Sequence, residues 1–109
     1  NDRRFFLFLG TSIDKDTQWV VFEDNNERLW ARVCQTIVEF LMKQFRNGAL
    51  MGTEPEEAFF VKMDRTTMMQ DEIDNDRLIC IIGVAPVKPA EFVIFRLARS
   101  QSDNEVTEI

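Results

Sequence analysis

Apolar and polar positions divide the chain into segments of different period. From Glu27 to Arg46 the apolar residues Leu29, Trp30, Val33, Cys34, Ile37, Val38, Leu41 and Phe45 recur every three or four positions, which predicts a helix with one broad buried face. Asp24, Asn25 or Asn26 can cap its start. Lys43 and Arg46 suit its last turn, and Asn47-Gly48 supplies a left-handed stop. Residues 78–84 and 91–97 behave differently: both alternate sets are apolar, with Val93, Phe95 and Leu97 on one face and Phe92 and Ile94 on the other. That pattern predicts strands buried on both faces. Pro86 and Pro89 lack backbone donors and break the ladder between the two runs.

The remaining segments are less determined. In "RRFFLFLGTSI" (3–13), Phe5, Phe6, Leu9 and Ile13 form a helical stripe, yet the Phe-rich run also suits a buried strand. "TQWVVFE" (17–23) reads as a short strand or extended run, and "AFFVKMD" (58–64) as a strand. A short helical turn is expected around residues 69–73, and the tail 101–109 is polar and expected to be loose. The fold class is α/β (α+β): a mixed sheet against one long amphipathic helix, with shorter helices. Residues 1–100 form the domain and 91–99 are its terminal strand arm. A length of 109 residues suits one core.

Composition removes several functions. The chain has no His, hence no imidazole base or ligand. Its net charge of −6 opposes a phosphate-binding surface. Cys34 and Cys80 lie too far apart for a metal motif and read as small core residues in a reducing compartment. "NDRRFFLFLG" mimics a secretory leader, but its apolar run is too short and no small-residue cleavage site follows. The longest uncharged apolar run, residues 78–87, is half a membrane span. No membrane contact is expected. The chain also lacks an initiator Met, and a piece of a longer protein is expected.

Candidate chemistry fails on spacing. A calcium loop from Asp71 needs Gly sixth and Glu twelfth, where Asp76 and Ile82 stand; from Asp74 the same positions hold Ile79 and Ala85. "DRTT" (64–67) has hydroxyls but no His or nearby Lys as a base. Gly48, Gly52 and Gly83 form no phosphate loop, and "EFVIF" lacks the residues that precede an RNA-binding strand. No catalytic site, cofactor, metal or nucleic-acid partner is expected. The last strand is then either an inner strand of the domain's own sheet or an edge offered to another chain.

Several stretches carry a resemblance: "TQWVVFE", "ERLWARV", "PEEAFFVKMDRTTM", "EIDNDRLIC" and above all "IGVAPVKPAEFVIFR". Over residues 3–99 the chain resembles the C-terminal domain of contractile phage tail sheath proteins. The departures are Asp24, where Pro is usual, Gly10 and Asp16, atypical in the first segment, and Met63, where Cys is frequent. The resemblance implies a subunit of six-membered rings, stacked helically around an inner tube and part of a virion tail assembled in the host bacterial cytoplasm. Contraction would drive the tube out with energy stored at assembly, and no nucleotide site is expected. Neighbouring subunits would be joined by strand augmentation through Glu91, Phe92, Val93, Ile94, Phe95, Arg96 and Leu97. Pro86, Val87, Lys88 and Pro89 would be the hinge. Lys43, Gln44 and Arg46 are the candidates to face the tube. A strand-adding adaptor domain is the alternative, and a small enzyme the weakest reading.

Overall fold

A computed structural model describes residues 3–63, 77–87, 92–99 and 104–109. The elements are helix α1 (Arg3–Asp16), a 3-10 turn (Gln18–Phe22), helix α2 (Glu27–Arg46), the short helix α3 (Pro55–Ala58), and strands β1 (Phe59–Lys62), β2 (Leu78–Val84), β3 (Val93–Arg99) and β4 (Asn104–Glu108). The sheet runs in the order β1-β2-β3-β4 and every pairing is antiparallel. The α+β class holds, but the sheet is a plain meander rather than mixed.

The ambiguous first segment is a helix. Phe6, Leu9 and Ile13 are buried on one stripe, while Leu7 and Phe8 stand exposed. A strand would place Phe6 and Leu9 on opposite faces; the helix puts both into one core. The expected strand over 17–23 is instead a 3-10 turn, closed by Val20 N–H to the Thr17 carbonyl and Glu23 N–H to that of Val20. The Trp19 indole donates to the Asp16 carbonyl at 2.7 Å, which folds the ring back over the end of α1.

Helix α2 has the predicted bounds. Of its three possible caps Asn26 is the one used, its side chain accepting from Leu29 N–H at 3.0 Å. At the other end Ala49 N–H reaches the Gln44 carbonyl and Gly48 N–H that of Phe45, with Gly48 at φ +79°. These two bonds make a Schellman stop, whose left-handed residue glycine adopts without strain.

Register assigns the sheet's faces. Cross-strand partners share a face, and Val93, Phe95 and Leu97 pair with Val84, Ile82 and Cys80. These six are buried in the core with Leu29, Val33, Ile37 and Leu41 of α2. The opposite face carries Phe60, Lys62, Ile81, Gly83, Phe92, Ile94 and Arg96. The turn expected at residues 69–73 lies outside the described residues.

Candidate intersubunit interface

Strand β3 is the predicted arm, and its surroundings are well defined. Along one edge it pairs with β2 from Val84↔Val93 to Leu78↔Arg99; along the other it pairs with β4 from Phe95↔Glu108 to Arg99↔Asn104. Both edges of the arm are therefore occupied within the chain. Residues 104–108, expected to be loose, supply the second partner. The strand itself covers Val93–Arg99, two residues later than expected, with Phe92 just before it.

The inner edge of β4 can be read donor by donor. Ile109 N–H donates to the Ile94 carbonyl at 2.7 Å. In an antiparallel ladder hydrogen-bonded pairs alternate, so Thr107 and Glu105 also bond inward, to Arg96 and Ala98. The N–H groups of Asn104, Val106 and Glu108 point the other way, along the sheet's outer edge.

The hinge is described only in part. Pro86 bridges Leu50, and Val87 N–H donates to the Ala49 carbonyl at 2.9 Å, so this stretch is tied to the loop after α2. Lys88, Pro89 and Glu91 lie outside the described residues. The tube candidates separate: Lys43 and Arg46 are exposed at the end of α2, whereas Gln44 is buried and belongs to the interior. The Ala49–Val87 bond brings this helix end and the hinge to the same end of the molecule.

At the opposite end sits a feature that sequence reasoning missed. Arg99, buried among apolar residues, donates through Nη2 to the Asp14 carbonyl and Oδ1, both at 2.6 Å, and to Thr17 Oγ1 at 3.0 Å. Thr17 in turn donates to the Ile13 carbonyl at 2.7 Å. The guanidinium thus captures the carbonyl end of α1, where the helix dipole favours a cation. The signal was a basic residue continuing the inward alternation of Val93, Phe95 and Leu97.

Across the core, Cys80 and Cys34 are hydrogen-bonded neighbours, Cys80 buried and Cys34 half-buried. The hydrogen bond with Cys34, and then burial, push the Cys80 thiol far above the usual thiol range. Such a thiol is inert, as core packing implies. Among the described residues no group of three or more His, Cys, Asp or Glu side chains could hold a metal, and no helix is long and apolar enough to cross a membrane.

The described residues make an α+β domain whose antiparallel sheet runs β1-β2-β3-β4. Residues 1–98 match the phage tail sheath C-terminal domain family, and the chain belongs to that family of structural proteins. Two of the solved structures similar to it show the relationship. One is the cryo-EM structure of the anti-feeding prophage baseplate, 6-fold symmetrised, with 42% identity, TM-score 0.76, and 83% of this chain matched to 25% of that one. The other is the sheath complex of the PVC extracellular contractile injection system in its contracted state, with 36% identity, TM-score 0.75, and 83% of this chain matched to 26% of that one. The chain thus spans about a quarter of the length of those it matches. No curated protein matches it in sequence.

Proposed function

We propose that this domain is the ring-forming part of a contractile sheath subunit. It assembles with copies of itself into stacked six-membered rings around an inner tube, and collective contraction drives the tube out. The family match over residues 1–98 carries this reading, and the baseplate relative is 6-fold symmetrised. The particle is a phage tail or an injection system of the kind the two relatives represent, assembled in a bacterial cytoplasm.

The linkage between subunits is strand augmentation on β3. A neighbour's strand takes the place of β4 along Val93–Leu97, so that the core stays closed while the joint passes from one chain to the next. The β4 geometry supports this. Its one described half-buried apolar side chain is Val106, and its ladder bonds give a net ~1 kcal/mol each. Ordering each of its residues costs a similar ~1–2 kcal/mol. A strand so nearly balanced is replaceable by an equivalent one. Pro86, Val87, Lys88 and Pro89 form the hinge, and Lys43 and Arg46 meet the tube by charge.

Negative-stain electron microscopy of the full subunit tests the reading. Ridged hollow tubes or stacked six-fold rings are expected. Reversing charge at Lys43 and Arg46 should leave rings but stop assembly on the tube. Dispersed particles at high concentration would refute self-assembly and favour an adaptor.

A further inference from the structure

An aromatic patch on the sheet's outer face and the 3-10 turn lie toward opposite ends of β2, and they are complementary. On the outer face Phe60 and Phe92 stack with centroids 6.1 Å apart and planes inclined by 24°. They lie directly on Gly83: a Cβ there would fall 2.2 Å from Phe60 and 2.6 Å from Phe92. Gly83 thereby lets both rings settle against the backbone as an aromatic platform, and they remain 40% and 55% exposed. Met51 and Val87, both exposed, belong to the segments just beyond β2: Met51 N–H bonds the Ala85 carbonyl and Val87 follows Pro86. The next cross-strand row is Lys62, Ile81 and Arg96. It stands two residues from the Phe60 row, about 7 Å along the strands. The platform is apolar and bordered by two cations.

The 3-10 turn presents the converse. Phe22 is 86% exposed, the most exposed large apolar side chain among the described residues. Glu23 and Asp24 follow it directly, both exposed, and the stretch 16–27 contains four acids and no base. Glu23 also lies 3.5 Å from Arg32, an exposed pair of small worth. Both flanks of the turn are fixed at the start of β2. Thr17 binds Arg99, and Asn25 donates to the Arg77 carbonyl at 3.1 Å. The platform sits at the other end of β2, about 20 Å away along its seven residues.

We propose that sheath subunits meet head to tail through these two surfaces: Phe22 of one copy seats on the Phe60–Phe92 platform of the next, with Glu23 and Asp24 facing Lys62 and Arg96. The contact rests on the sheath reading, since its occupant is a second copy. Opposite ends and opposite charges make it heterologous, and a heterologous contact repeats into a ring or a helix rather than closing as a two-fold dimer. The spacing fits, for acids one and two residues from an aromatic can reach cations one row from its seat.

The test uses the full subunit carrying Phe22→Cys and Phe92→Cys together, assembled and then oxidised. A disulfide needs Cα atoms within about 7 Å, so the two new thiols cannot join within one chain. A ladder of covalent dimers, trimers and higher species on a denaturing gel is expected, absent from either single variant. In parallel, Lys62→Glu with Arg96→Glu should raise the critical assembly concentration at least tenfold, and adding Glu23→Lys with Asp24→Lys should restore it. Polymer without the ladder, or charge reversal without rescue, assigns the platform to another occupant, either the rest of the subunit or the tube, and overturns the contact. If the unsubstituted subunit forms no polymer, the sheath reading fails and this contact falls with it.

Discussion

Arg99 shows how one buried charge fixes a helix end. Its side chain is almost fully buried, while Asp14 stays 39% exposed. The desolvation cost of the guanidinium is offset by bonds to a carbonyl, a carboxylate and a hydroxyl, which saturate Nη2. Arg99→Met keeps the volume and removes the charge, and Asp14 can turn to water. The expected loss is about 2 kcal/mol, below the 3–5 kcal/mol of a fully buried broken pair. Urea denaturation measures it; an unchanged midpoint would mean the clasp only orients α1. Cys80 carries a different signature. Its thiol pKa is raised in the folded protein, first by the hydrogen bond with Cys34 and then by burial. The folded state therefore keeps a proton that the unfolded chain loses. That stability is complete below the unfolded thiol pKa of about 8.5 and erodes above it, by up to ~1.4 kcal/mol per pH unit. Between pH 7.5 and 10 the native protein should lose more stability than Cys80→Ala; equal losses would contradict the assignment.

At the scale of elements, legibility followed how many positions voted for one period. Helix α2 offered eight apolar positions, a cap and a glycine stop, and its bounds were readable from sequence. Strand β2 was equally readable, because an apolar run of seven between a charged stretch and a proline admits little else. The 3-10 turn was not. "WVVF" has strand propensity, but a local bond from the Trp19 indole to the Asp16 carbonyl and a long-range bond from Arg99 to the Thr17 hydroxyl override it. Strand β4 was hidden for the opposite reason. "NEVTE" has one aliphatic residue, so no burial pattern marks it, and its order comes from the ladder offered by β3. The arm is apolar on both faces, but burial on both is not what the structure shows: Val93, Phe95 and Leu97 are buried, whereas Ile94 is half-buried and Phe92 is 55% exposed, and neither face says who occupies the edges. Gln44 is buried because its helical phase aims it inward with Leu41, which its position in the last turn does not reveal.

For the whole molecule the question is which edge a neighbour uses, and the donor pattern of β4 separates the answers. A neighbour that adds outside β4 must accept from the outward N–H groups of Asn104, Val106 and Glu108. A neighbour that replaces β4 needs only the edge of β3. Val106→Pro removes an outward donor and leaves the inward bonds at Thr107 and Ile109, since proline is tolerated where its missing N–H would face solvent. Thr107→Pro removes an inward donor and loosens β4 from β3. With replacement as the linkage, Val106→Pro should still assemble. Thr107→Pro should keep the core folded and speed hydrogen exchange at Ile94, Arg96 and Ala98, whose N–H groups face β4, while Phe95 and Leu97, which face β2, remain protected. Assembly lost in Val106→Pro would place the neighbour outside β4 instead. Uniform loss of protection in Thr107→Pro would show that β4 is integral to the core and not replaceable. In that case the joint between subunits moves to β1, a strand of only four residues at the sheet's other edge.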